Sequence, residues 1–146
     1  MITPTSILRV TLLAATVAFA GCGMMPMANT AKFGATLSGA AEVPPNTSAG
    51  IGTLEASLSK DTSVLRWKLS YSGLTGPASA AHFHGPAMAG ANAGVVLPFS
   101  SPASPIEGQA TLTAAQVADL MAGKWYANVH TAANPGGEIR GQVTAK

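Results

Sequence analysis

Cysteine is almost absent from this sequence, since Cys22 is the one cysteine among 146 residues. No disulfide can form within the chain, and a redox or zinc site built from paired cysteines is excluded. Charged residues are also scarce, at 10% of the chain, and eight basic against six acidic residues give a formal net charge of +2. This balance provides no strongly basic surface, so we expect no nucleic-acid partner.

The sequence also lacks the short motifs of several large enzyme classes. It contains no GxSxG nucleophile elbow, no phosphate-binding P-loop, no dinucleotide fingerprint and no CxxC pair. Serine, threonine and asparagine are plentiful, but no acidic residue pairs obviously with a histidine along the chain. These absences favour a binding or structural protein over an enzyme.

The N-terminus has the pattern of an export leader. Arg9 supplies a weak positive charge before the apolar run Val10–Ala20, which is too short to cross a bilayer as a helix and suits a signal-peptide core. The run ends in Phe19-Ala20-Gly21-Cys22, which resembles the lipobox of bacterial lipoproteins, with phenylalanine where leucine is usual. In that motif the cysteine is lipidated and becomes the first residue of the mature chain.

The leader divides the chain into three predicted parts. We predict a lipoprotein signal peptide over residues 1–21, a lipidated Cys22 with a tether over residues 22–32, and one β-domain over residues 33–146. The membrane is then a partner through the lipid, and the protein is extracytoplasmic. Glycine at position 23, rather than aspartate, resembles the pattern of outer-membrane lipoproteins if the host is Gram-negative. Ordinary cleavage, which would leave a secreted or periplasmic protein with a free cysteine, is the alternative.

Beyond the leader, apolar residues recur mostly at every second position, which predicts strands. Leu65, Trp67, Leu69 and Tyr71 alternate with polar or smaller residues in the clearest case, and the stretches around Phe33–Leu37 and Leu54–Leu58 behave in the same way. Further strands are predicted around Ala81–His84, Gly94–Leu97, Gly108–Leu112, Trp125–Thr131 and Glu138–Thr144. Many short strands separated by turn residues predict an all-β fold, an antiparallel Greek-key-like sandwich or barrel.

Two local patterns refine this fold. Val117, Leu120 and Met121 have helical spacing, Thr113 with Gln116 matches a capping box, and a glycine follows, so one short helix is expected at about 113–122. Asn134-Pro135-Gly136-Gly137 has turn chemistry and predicts a hairpin between the last two long strands.

All three histidines fall on the polar side of predicted strands. Because side chains alternate across a strand, His82 and His84 share one face while Phe83 takes the other and should enter the core. The same division places Tyr126, Asn128 and His130 opposite Trp125, Ala127 and Val129, and places Glu138, Arg140 and Gln142 opposite Ile139 and Val143. The polar groups would form one patch if these strands were neighbours.

Two interpretations of the histidines remain open at this stage. Imidazoles at positions i and i+2 of one strand, joined by a third from another strand, are a reasonable set of ligands for copper, zinc, nickel or iron. Alternatively, His82, His84 and His130 hydrogen-bond the backbone of loops, especially the stretch PAMAGANAG. Glu138 and Arg140 are expected to form a surface ion pair, which would stabilise the fold by about 0–1 kcal/mol.

Three stretches also resemble a known family. LSGAAEVPPNTSAGIG, LSYSGLTGPASAAHFHGPA and GKWYANVHTAANPGGEIRGQV are similar, in order and spacing, to the CHRD domain, which is named for chordin and is common in secreted bacterial proteins. The resemblance covers about Phe33 to Val143; Ala41 stands where glutamine is frequent, and Phe83 where isoleucine is. It implies an extracytoplasmic β-domain. The cysteine-rich, growth-factor-binding modules of chordin have no counterpart here.

A weaker resemblance concerns the copper–zinc superoxide dismutases. GLTGPASAAHFHG is similar to the dismutase segment that leads to two copper-binding histidines. By this resemblance His82 and His84 would be the paired ligands, His130 a later ligand and Arg140 a guide for anions. The zinc-loop ligands and the disulfide of the dismutases have no counterpart in this chain, and the resemblance therefore implies shared sandwich architecture more readily than catalysis.

Together these observations lead to two hypotheses of function. The first is a lipid-anchored, non-enzymatic binding or structural module of the bacterial envelope, whose partner is an unknown protein or small ligand. The second is a copper- or zinc-binding protein with a dismutase-like site, which could be redox-active. In that second hypothesis the metal ligands are His82, His84 and His130, and the supporting polar residues are Asn128, Glu138 and Arg140.

Overall fold

The computed structural model describes residues 29–146. The predicted signal peptide and Cys22 lie outside this range. Within it the chain forms nine strands, one α-helix and one short 3-10 helix. The strands are β1 Thr30–Ser38, β2 Ile51–Ser59, β3 Val64–Ser72, β4 Ala78–His84, β5 Val95–Pro98, β6 Ile106–Thr111, β7 Tyr126–Thr131, β8 Ile139–Gln142 and β9 Thr144–Ala145. The helix α1 spans Ala114–Met121, and the 3-10 helix spans Gly39–Ala41.

The strands pair in one antiparallel, curled sheet with the order β5-β4-β7-β8-β1-β2-β3-β6, and β9 adds to β1. Strands β1, β2 and β3 form a meander with long, regular ladders. The connection from β3 to β4 then carries the chain to the other half of the strand order. This places β4, β7 and β8, which bear the histidines and Arg140, side by side.

The sheet curls around one apolar core. Trp67 on β3 and Phe83 on β4 are well separated in the strand order, yet their rings meet edge to face with centroids 5.3 Å apart. Phe99 packs against both rings, and Trp125 contacts Phe83 from the segment before β7. Edge-to-face and stacked aromatic contacts of this kind stabilise a core beyond the burial of their surface.

The alternation in the sequence predicted this core closely. Of the apolar residues that the pattern placed inward, Ala35 and Tyr71 are partly buried. The others are buried: Phe33, Leu37, Leu54, Ala56, Leu58, Leu65, Trp67, Leu69, Phe83, Trp125, Ala127, Val129, Ile139 and Val143.

The predicted helix and hairpin are both present. Thr113 accepts a hydrogen bond from the backbone N–H of Gln116, the Gln116 side chain bonds back to the Thr113 N–H, and the helix runs over Ala114–Met121. Strands β7 and β8 are antiparallel neighbours joined through the turn at Asn134–Gly137. The predicted all-β antiparallel fold with a single short helix is therefore confirmed. No helix within residues 29–146 has both the length and the apolar character needed to cross a membrane.

Candidate metal centre

Three neighbouring strands present their polar faces to the same side of the sheet. In the ladder between β4 and β7, His82 pairs with Asn128, and His84 pairs with Tyr126. On the other side of β7, Asn128 pairs with Arg140 of β8. Side chains at paired positions point to the same face, so this register gathers on one face the residues that the alternation had separated from the core. The adjacency of the His82 strand, which the sequence left open, is thus observed.

The three imidazoles meet at this face. One ring nitrogen from each of His82, His84 and His130 lies within 4.8 Å of the others. His82 Nδ1 is 3.1 Å from His130 Nε2, and the ring centroids of these two residues are 4.9 Å apart. Zinc–nitrogen bonds of about 2.0–2.1 Å place the ligand nitrogens of a tetrahedral or trigonal ion about 3.3–3.6 Å apart. A pair separated by 4.8 Å would need to close by a little more than an ångström to hold an ion.

Backbone carbonyls orient two of the rings. His84 Nδ1 is 3.0 Å from the carbonyl oxygen of Ala93, and His130 Nδ1 is 3.0 Å from that of Pro135. A carbonyl can only accept, so both Nδ1 atoms carry the proton and both Nε2 atoms expose a lone pair. This is the arrangement in which metal-binding histidines are usually held.

His84 offers the clearest vacant ligand atom. The residue is 8% exposed, and its Nε2 is buried without a hydrogen-bond partner within the described residues. A buried acceptor that lacks a partner costs about 1–3 kcal/mol, so it is uncommon without a functional reason. Coordination of an ion by Nε2 would remove this cost.

The surroundings favour the neutral form of His82 and His130. Burial lowers the pKa of His82 below its usual value, and the nearby His130 and His84 lower it further. Burial also lowers the pKa of His130; the hydrogen bond to Pro135 opposes this shift, and His84 adds to it. Neutral imidazole is the form that binds a metal ion, and the cluster within residues 29–146 contains no carboxylate.

Tyr126, Asn128 and Arg140 surround the cluster. The Tyr126 ring stacks on His84 with centroids 4.8 Å apart and planes inclined by 4°. The guanidinium carbon of Arg140 lies 3.4 Å from the centroid of the Tyr126 ring. Since β4 and β8 flank β7 on opposite sides, His84 and Arg140 approach Tyr126 from opposite directions. The side-chain amide of Asn128 lies 3.0 Å from His130 Nε2 and completes the polar layer; with its NH₂ group turned toward this nitrogen, it donates a hydrogen bond to the lone pair.

The loop of residues 85–94 covers this layer. Arg140 donates to the carbonyl oxygen of Ala91 at 2.6 Å and to Asn92 Oδ1 at 2.9 Å. The Tyr126 hydroxyl lies 3.2–3.3 Å from the backbone N and O atoms of Ala93. The bonds of His84, Tyr126 and Arg140 therefore fix one loop over the site, as the loop-binding interpretation of the histidines had anticipated for His84.

Glu138 belongs to a different cluster. Its carboxylate accepts hydrogen bonds from the Ser48 hydroxyl, from the Thr75 backbone N–H and hydroxyl, and from the Thr131 hydroxyl. These bonds lower the pKa of Glu138 to about 2, although burial alone is the largest influence and acts in the opposite direction. The predicted surface ion pair between Glu138 and Arg140 is absent, because both side chains are buried and each is held by other partners.

The sequence also suggested that the polar faces would point into solvent, and here the structure differs. Asn128, Glu138 and Arg140 are at most 2% exposed, and His130 is 9% exposed. They do point away from the apolar core, but loops cover them. Strand alternation reports the side of the sheet on which a residue lies; it does not report what covers that side.

Several residues that build this region were not singled out from the sequence. Ser48, Thr75 and Thr131 hold Glu138, and Glu42 is buried close to Arg140. Their positions in turns or at strand ends carry no distinctive local pattern. The one available signal was that all four residues lie inside the stretches that resemble the CHRD domain.

One comparison with known proteins identifies a family. The CHRD domain family matches residues 33–143. No curated protein and no solved structure matches the chain. The match spans well over half of the sequence and includes all three histidines, Glu138 and Arg140. The chain belongs to the CHRD domain family.

Proposed function

We propose that this CHRD protein is a non-enzymatic, lipid-anchored module of the bacterial envelope that binds a copper or zinc ion through His82, His84 and His130. The apolar leader and its lipobox-like end support the lipid anchor and the location in the envelope. The close approach of the three imidazoles supports the copper or zinc site.

One observation carries the metal assignment. One ring nitrogen from each histidine lies within 4.8 Å of the others, and the Nε2 atom of His84 is buried without a partner within the described residues. If His84 only held the loop, the hydrogen bond from its Nδ1 atom would be sufficient. Two further imidazoles beside it would have no structural role. Three neutral nitrogen ligands without a carboxylate suit copper or zinc better than magnesium or calcium, which prefer oxygen.

The test is metal analysis of the untagged protein after exposure to copper or zinc and removal of the excess ion. The chain has three histidines in all, so no other imidazole can contribute to the result. We expect about one ion per chain, and loss of that ion in His84→Ala. Met88→Ala, at a position 61% exposed on the covering loop, is the matched control and should retain the ion.

Two outcomes would contradict the proposal. The first is wild-type protein that takes up neither ion at stoichiometric level. The second is His84→Ala that binds as much metal as the wild type, since this would place the ion elsewhere. The first result would leave the hypothesis of a binding module without metal, and the second would leave a metal site that does not use His84.

A further inference from the structure

A concavity lined by Arg140 and by none of the histidines lies beside the loop of residues 85–94. Its walls are the segment after β1 and the loop of residues 85–94, its floor is β8, and its volume is about 420 Å³. Asn92 Nδ2 donates to the Val43 carbonyl oxygen at 3.0 Å and ties the two walls together. We call this concavity the Arg140 pocket. Its size falls within the range of about 300–1,000 Å³ that is typical of small-molecule sites.

The Arg140 pocket contains a buried positive charge without an ionic partner. Arg140 is 2% exposed, and none of the ion pairs within residues 29–146 includes it. Its contacts are a carbonyl oxygen, an amide oxygen and the face of Tyr126. A guanidinium group has five N–H donors, so these contacts leave donors to spare. Buried charges in proteins are normally paired.

Glu42 is the carboxyl group nearest in the pocket, but it compensates Arg140 incompletely. It is 6% exposed, lies against Gly137, and has one oxygen, Oε1, without a hydrogen-bond partner. Burial raises the pKa of Glu42 to about 7, although the charge of Arg140 and a bond to the Val43 backbone oppose this shift. Near neutral pH a large share of the molecules therefore carry an uncharged Glu42 beside a charged Arg140.

The rest of the lining is apolar and small. Ala40, Ala41, Val43, Pro45 and Ala89 form the walls. Gln142 also lines the pocket; its amide nitrogen donates to the carbonyl oxygens of Ala87 and Gly123, while its Oε1 has no partner within the described residues. A larger concavity on the outer face of β1–β3 is less suitable for an anion, because two of its lysines are already paired with Glu55 and Glu107.

We propose that the Arg140 pocket binds a small organic carboxylate, whose anionic group pairs with Arg140 and whose short apolar body contacts the alanine, valine and proline side chains. The ligand supplies the negative charge that the guanidinium lacks. Protonated Glu42 can donate a hydrogen bond to the same carboxylate, whereas ionised Glu42 repels it. This site is separate from the proposed metal centre and does not depend on it.

The pH dependence of binding follows from Glu42. The segment 39–50 and the loop 85–94 contain no other titratable side chain. The turn before β8 ends in Glu138, whose carboxylate is held by Ser48, Thr75 and Thr131. β8 contributes Arg140, and β7 contributes Tyr126, whose ring faces the guanidinium. If the ligand binds only when Glu42 is protonated, raising the pH from 6 to 8 should weaken binding about tenfold. Glu42→Gln, which is uncharged at both values, should bind with the same affinity at pH 6 and pH 8.

The experiment is an NMR titration of the untagged protein with butyrate at pH 6 and pH 8. Butyramide, which has the same apolar body without the charge, is the ligand control, and inorganic phosphate tests for a general anion site. We expect saturable shifts with butyrate at the amides of Ala89 and Gly90. Ala89→Leu, which places a larger side chain in the pocket and leaves residue 140 unchanged, should abolish the saturable shift at Gly90, while Ala132→Leu on an exposed turn should not.

Several results would overturn the proposal. They are the absence of saturable shifts with butyrate at pH 6, equal binding of butyramide, unchanged binding by Ala89→Leu, and tighter binding of phosphate than of butyrate. Because the titration needs no metal, failure of this proposal leaves the metal proposal intact, and failure of metal binding leaves this one intact.

Discussion

Glu138 should make the stability of this protein depend strongly on pH, and Glu138→Gln should remove that dependence. The carboxylate is fully buried and accepts four hydrogen bonds from Ser48, Thr75 and Thr131. The glutamine side chain has nearly the same shape, but its NH₂ group would face hydroxyl and N–H donors in place of an acceptor. Two of the four bonds would then be lost or strained.

The magnitude follows from the pKa. The folded-state pKa of about 2 is below the ordinary value of 4.5, so the ionised group stabilises the folded state. This contribution is fully present above pH 4.5 and is lost as the pH falls toward 2. The full shift corresponds to about 3 kcal/mol. The cluster lies under loops near the surface, where solvent screens part of the interaction, and we therefore expect about 2 kcal/mol.

Urea denaturation, followed by the fluorescence of the buried tryptophans Trp67 and Trp125, measures this effect in metal-free protein. At pH 7 the free energy of unfolding of Glu138→Gln should be about 2 kcal/mol below that of the wild type. At pH 3 more than half of this difference should have disappeared. Glu107→Gln changes an exposed carboxylate paired with Lys68 and should cost no more than about 1 kcal/mol at either pH. A Glu138→Gln difference that stayed constant from pH 7 to pH 3 would refute the reasoning.

Three further predictions concern other parts of the chain. Gly141→Ala should destabilise the fold by about 1–3 kcal/mol in urea, because the new Cβ would overlap the Thr36 carbonyl oxygen on β1; Gly94→Ala, where the space is open, should change stability far less. Thr113→Ala should cost about 1 kcal/mol by removing the helix cap, and Thr113→Ser should recover most of it. Cys22→Ser should abolish labelling by radioactive palmitate and release the protein from membranes; labelling that persisted in this variant, or wild-type processing that resisted globomycin, would contradict the lipid anchor.

The strands and their inward faces were predictable because both depend on local alternation. Trp67 and Leu69 lie inward in the structure as their period of two required, and Phe83 enters the core between His82 and His84. The capping box at Thr113 is equally local and marked the start of the helix within one residue. Alternation of this kind predicts the folded structure because successive side chains on a strand must point to opposite faces of the sheet.

The burial of the polar face was not predictable from the same pattern. Arg140 is covered by Ala91 and Asn92, which lie about 50 residues away in the chain, and Glu138 is held by Ser48, which lies 90 residues away. The local sequence around an alanine, asparagine or serine in a loop does not indicate which distant residue it will contact. The expected ion pair between Glu138 and Arg140 was wrong for this reason: two residues on one face of a strand were separated by different loops, each of which supplied its own partners.

The two interpretations of the histidines turn out to be compatible, and the structure shows why. His84 and His130 each use Nδ1 to hold a loop carbonyl, which is the structural role, and this bond fixes the proton on Nδ1 and leaves the lone pair on Nε2. The loop bond is therefore what prepares each ring as a ligand. It follows that a glutamine at position 84 could keep a bond to Ala93 through its amide nitrogen, yet could not supply an imidazole nitrogen to an ion. His84→Gln should then keep more of the wild-type stability than His84→Ala while binding as little metal. A His84→Gln variant that was as unstable as His84→Ala would contradict the stabilising role assigned to the bond with Ala93.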